Sequence, residues 1–164
     1  MLRDKSLIPL SHQHQHALAL CVRIDRAQPI RDTDIEAWLS EIEQQFEPEI
    51  RNHFTAEESV VFPAALNFSE LRPLVAELIS DHESLRQLLS QARERKLTAS
   101  SLPRFAEQLS THIRKEERLL FERMQQLMSL EDLRILGRDL DLALAGTDPS
   151  CSIPSEATKL KPRK

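Results

Sequence analysis

Tyrosine is absent from this chain and glycine occurs twice. Few segments alternate with period two, so nothing argues for a sheet. Cysteine is also scarce. Cys21 and Cys151 lie far apart and neither belongs to a C-x-x-C pair, which fits a reduced compartment and a cytoplasmic address. No stretch approaches the length of a membrane span. The N-terminal MLRDKSLIPL lacks the long apolar run of a signal peptide. A large basic excess is missing too: the formal charge is −4, which argues against general nucleic-acid binding.

What the chain does have is Leu, Ala, Glu, Gln and Arg, all good helix formers. Its 164 residues are enough to bury one core without disulfides or a structural metal. The class is all-α. The apolar spacing predicts helix 1 from near Ser11, as its cap, to before Pro29, with His14, Leu18, Cys21 and Ile24 or Asp25 inward. Helix 2 opens in RDTD and runs over about 33–64, with a kink at Pro48. Its inward stripe passes through Ile50, His53, Glu57, Val60 and Ala64. Helix 3 covers about 69–97, with Leu74, Leu78, His82, Leu85 and Leu89 on one face. Helix 4 carries Leu109, His112, Glu116 and then Leu119 or Leu120 inward. A shorter fifth helix starts at Ser129, a cap paired with Asp132, and runs through Leu130, Leu133, Leu136, Leu140 and Leu144 to Gly146. Residues 1–146 thus read as one helical domain, with a core at 9–128 and the extra helix at 129–146. Residues 147–164 have no apolar period and read as a flexible tail.

Within this helical pattern the chain repeats itself. HFTAEESVVFP at 53–63 and HIRKEERLLFE at 112–122 share the form H-x-x-x-E-E-x-h-h-F, where h is apolar. Four residues turn a helix by about 400°, so each His–Glu pair lies on one face. A weaker repeat precedes each copy, LSHQHQHALAL at 10–20 and LISDHESLRQLL at 78–89, and it matches His14 to His82. The simplest architecture is two helical hairpins related by a pseudo-twofold axis. Together they direct His14, His53, Glu57, His82, His112 and Glu116 toward one point, which is direct-ligand chemistry for a pair of transition metals.

A single histidine on an apolar stripe is usually a satisfied core residue. Four on four helices, two of them paired with glutamate at the same spacing, favour a metal, because unpaired charge inside a core is costly. His12 and His16 lie about 200° around helix 1 from His14 and read as surface residues, with His16 the fallback. Glu58 and Glu117 lie about 100° off the inward line. They are candidates for second-sphere acceptors or spare ligands, behind a solvated or ion-paired face. Ligand type alone does not separate Fe from Mn or Zn. Ferritin-like bundles use Glu-x-x-His. Here the residues three before the four histidines are Ser11, Ile50, Ile79 and Leu109, so that pattern is absent.

With these two motifs, residues 9–128 resemble the hemerythrin-like, or HHE cation-binding, family. The resemblance implies an antiparallel up-down four-helix bundle holding two non-haem irons (Fe2+/Fe3+) with an oxo or hydroxo bridge. Zinc and manganese rank behind iron. Carried over, Glu57 and Glu116 bridge, His14 and His53 hold one iron, and His82 and His112 hold the other. Oxygen-carrying members have a further histidine one turn before the third-helix ligand, where this chain has Leu78, and end their last motif in aspartate, where this chain has Glu116. The implied site is therefore symmetric, with two histidines per iron. That favours sensing or handling of a small diatomic ligand, dioxygen or nitric oxide, or of peroxide. An oxidase- or peroxidase-like enzyme and an iron-dependent interaction module are the alternatives. Neither nucleic acid nor membrane is an expected partner, and the composition suits a monomer or a homodimer.

Overall fold

The computed structural model describes residues 2–145. Among them are five helices and no strand: α1 (Ile8–Arg26), α2 (residues 35–65), α3 (Arg72–Arg93), α4 (residues 102–127) and α5 (Leu130–Leu144). The expected tail at 147–164 and the expected helix stop at Gly146 lie outside the described residues.

The helix starts follow local chemistry. α1 begins three residues before the expected Ser11, because Pro9 fits the first turn, where its missing N–H is not needed. The serine instead lies inside the helix, where its hydroxyl donates to Glu117 at 2.7 Å. The inward face of α1 is Leu10, His14, Ala17, Leu20, Cys21 and Ile24. Leu18 is only partly buried and Asp25 is exposed. α5 starts as expected, with the Ser129 side chain accepting from the Asp132 N–H at 3.1 Å. Leu130, in its first turn, is exposed rather than inward.

α3 stops at Arg93, four residues short of the expectation. Arg95 takes the left-handed conformation at φ 57°. The Lys96 N–H then reaches the Gln91 carbonyl at 2.8 Å, and the Arg95 N–H reaches that of Ala92 at 3.1 Å. These two bonds satisfy carbonyls that the helix end would leave unpaired.

α2 carries on through Pro48, which follows a π turn at Ile42–Phe46. The Glu47 N–H donates to the Ile42 carbonyl, five residues back. Pro48 then sits in the first turn of the following α segment, a position proline tolerates. Two further π turns occur, at Glu57–Val61 in α2 and Glu116–Leu120 in α4.

The apolar interior divides in two. One cluster joins Leu20, Trp38, Ile50, Phe54, Leu85 and Leu109 with their neighbours. The other joins Leu10, Phe62, Leu78, Phe121, Leu133 and Leu140 with theirs. His14, His53, Glu57, His82, His112 and Glu116 are all buried, and on α1 to α4 they lie near the boundary where one cluster gives way to the other. α5 belongs to the second cluster and covers that end. There α5 runs close to the N-terminal segment: a Cβ added at Gly137 would stand 2.9 Å from Ser6 Oγ.

Candidate metal centre

The four histidines point their Nε2 atoms inward. His14 Nε2 faces His53 Nε2 at 2.9 Å, and His82 Nε2 faces His112 Nε2 at 3.1 Å. Both carboxylates lie between these pairs. Glu57 is 3.1 Å from His53 and 3.3 Å from His82. Glu116 is 3.1 Å from His14 and 3.3 Å from His112. Two groups of potential ligands result, His14–His53–Glu57–Glu116 and Glu57–His82–His112–Glu116. Within each, one donor atom per residue lies within 4.8 Å of the others. The two groups share both glutamates.

The outer nitrogens explain how the rings are held. His14 Nδ1 bonds Glu117 at 2.7 Å and His82 Nδ1 bonds Glu58 at 2.7 Å. His53 Nδ1 bonds the side-chain oxygen Oε1 of Gln13 at 2.8 Å, and His112 Nδ1 lies 3.5 Å from Asp81. Oxygens of this kind only accept, so Nδ1 of His14, His53 and His82 carries a proton, and in the neutral ring Nε2 can then turn a lone pair to the centre; His112 Nδ1 has the Asp81 contact but no hydrogen bond. The pattern repeats between halves. The second glutamate of one motif holds the single histidine of the other half, and the residue before each single histidine faces its motif partner.

Arginines anchor both outer glutamates. Arg86 forks onto Glu58 at 2.8 and 3.0 Å, and Arg3 binds Glu117. Glu58 and Glu117 are therefore both ion-paired and bonded to the site. Gln13 and Asp81 escaped the sequence reading, although both repeats place them directly before His14 and His82. His12 is exposed, and His16 bonds Glu49 at 2.7 Å, away from the centre.

All four oxygens of Glu57 and Glu116 are buried without a hydrogen bond. Buried carboxylates normally have such partners, and their desolvation is costly without them. Lone pairs from four imidazoles converge on the same volume. A cation is the group that satisfies this donor set, and the nitrogen and carboxylate chemistry suits a transition metal.

Without a metal, protons take part of that role. Burial disfavours the His14 imidazolium, but the close carboxylate of Glu116 and the bond to Glu117 outweigh it and lift the pKa to about 9. At His112 burial again opposes charge, and the Glu116 charge with the Asp81 contact raises the pKa to about 10. Burial and its fellow carboxylate push Glu57 up, but His53 and His82 bring it below the ordinary range. Burial likewise opposes ionisation of Glu116, and His112 and His14 hold it well below that range.

The linkage signs follow. Stability from the two raised histidines is complete below about 6.5 and is lost as pH rises through about 9 to 10. Stability from the depressed glutamates is present above about 4.5 and is lost as pH falls through their lower folded values. The melting temperature of metal-free protein should therefore fall between pH 6.5 and 8.5. That interval precedes any titration of Cys21, whose thiol burial holds up to about 12. Metal binding must displace these protons, so affinity should rise over the same interval. A flat melting curve across it would show that these protons do not stabilise the fold.

A search of protein families matched the hemerythrin HHE cation-binding domain over residues 9–129. Neither the search of curated proteins nor that of solved structures found a match. The matched span contains both paired motifs and all six converging side chains, and on that match the chain belongs to the hemerythrin HHE cation-binding family.

Proposed function

We propose that this chain is a non-haem diiron protein, an antiparallel four-helix bundle with one added helix, that senses or handles dioxygen, nitric oxide or peroxide in the cytoplasm. The supporting observation is that two four-residue groups share Glu57 and Glu116, whose oxygens are buried without a hydrogen bond. In this reading His14 and His53 hold one iron, His82 and His112 hold the other, and the two glutamates bridge. Bound iron would supply a redox-active cation able to take a small exogenous ligand. The chain contributes fixed ring orientations, through Glu117, Gln13 and Glu58, and an apolar layer on either side.

Metal analysis and a visible spectrum of aerobically purified protein test this reading. Two irons per chain with near-ultraviolet charge-transfer bands are expected. Zinc, or no metal after iron-supplied expression, would overturn it. A spectrum that reverses on deoxygenation favours sensing or carriage, whereas sustained turnover with peroxide would move the assignment to an enzyme.

A further inference from the structure

The two halves are not identical beside the centre. On the α1–α2 side lies a cavity of about 20 Å3, enough for one small molecule. His14, His53 and His112 border it, and its other walls include Ala17, Phe46, Ile50, Phe54 and Leu109. Such walls offer water few partners, so the space suits an apolar molecule.

The repeat explains why the space is there. Matching His14 to His82 sets Ala17 against Leu85. Leu85 is fully buried in the same core and carries three more carbons than the alanine that borders the cavity.

The repeat also explains the mouth. Among the lining residues Gln13 and Glu49 are the two that are only partly buried, which places the mouth beside them. Gln13 is tied to His53, and Glu49 is tied across the α1–α2 seam by His16 at 2.7 Å. The same register places Ser84 and Gln108 in the other half, where Gln108 donates to Ser84 at 2.6 Å. Each half thus has a side-chain strap across its seam, but Ala17 provides a cavity behind the α1–α2 one.

We propose that Ala17 makes the centre one-sided: it opens a chamber for a single uncharged diatomic molecule on the α1–α2 face, entered past Glu49 and Gln13. The identity of the occupant rests on the diiron reading above, whereas the chamber itself does not.

Two measurements separate them. Metal-free protein is titrated with xenon and followed by xenon NMR. Wild type should show saturable uptake that Ala17→Leu abolishes and the milder Ala17→Val weakens. Iron-loaded, reduced protein is mixed with nitric oxide in a stopped-flow spectrometer. Ala17→Leu and Ala17→Val should slow association about tenfold or more with iron content unchanged, and Glu49→Ala should speed it. Equal xenon uptake by folded wild type and Ala17→Val would overturn the chamber. Unchanged nitric oxide rates in iron-replete Ala17 variants would overturn its use as the route. If wild type holds no iron, the diiron reading fails and the xenon result alone decides the chamber.

Discussion

Replacing Glu57 and Glu116 together by glutamine should give a folded protein that holds no stoichiometric iron. Both carboxylates belong to both ligand groups, so the double substitution removes half of the donors from each metal at once. Glutamine keeps the volume but carries no charge, and no neutral amide replaces a bridging anion between two cations. Loss of an outer partner alone typically weakens a metal site about 10- to 100-fold, and loss of two shared anions should exceed that.

The fold should tolerate the change. Glutamine keeps the volume and its amide still reaches the imidazoles 3.1–3.3 Å away, so the chain should fold although the ionic stabilisation is lost. His14 and His112 then lose the anions that raise their pKa, and the decline in melting temperature between pH 6.5 and 8.5 should shrink. Metal analysis, circular dichroism and the pH series together check this. Two irons per chain in a folded double variant would sink the bridging assignment.

The six converging side chains were legible because the signal was duplicated. Histidine and glutamate four apart occur at 53/57 and 112/116, and a matched histidine precedes each copy. Their burial also followed from phase, since each replaces an apolar residue on an inward stripe.

The stripe beyond the glutamates was not legible. Unbroken α geometry puts Val60 and Ala64 inward, yet the buried residues are Val61 and Ala65. In α4 the choice between Leu119 and Leu120 resolves the same way: Leu120 is fully buried and Leu119 is 54 % exposed. Both shifts have one cause. The Phe62 N–H donates to the Glu57 carbonyl and the Phe121 N–H to that of Glu116, each five residues back. Each π turn inserts one residue and advances the stripe by one position. Because both begin at the inward glutamate, the extra residue lets Glu57 and Glu116 face the centre while Phe62 and Phe121 still reach the core. Side-chain periodicity carries no mark of that backbone choice.

Gln13 and Asp81 show a different limit. Single polar residues beside histidines look like solvated surface, and only the neighbouring helix reveals what they face. The sequence did contain the clue that they share a register, but not which ring each would meet.

Phe54→Ala should be the most damaging single substitution for stability. The ring is 1 % exposed and stacks on His82 at 3.8 Å between centroids, with 15° between planes. It also meets His112 edge-on at 5.6 Å. Arg86, which forks onto Glu58, lies 5.5 Å from the same ring. Phe54 therefore lies under both histidines of one ligand group and beside the clamp on its outer carboxylate. Truncation of a buried phenylalanine costs about 3–5 kcal/mol, or roughly 6–20 °C in melting temperature at about 2–4 °C per kcal/mol for a chain of this size. The loss should exceed mere cavity formation in one respect. With its stacking surface gone, His82 can tilt, so iron affinity should drop even at temperatures where the variant is fully folded. Phe54→Leu, which keeps much of the apolar volume, should recover most of the stability but less of the metal affinity, because it has no flat face for the imidazole. Urea unfolding and metal titration of the two variants separate these contributions. A stability loss below about 1 kcal/mol for the alanine variant would show that the site collapses around the missing ring.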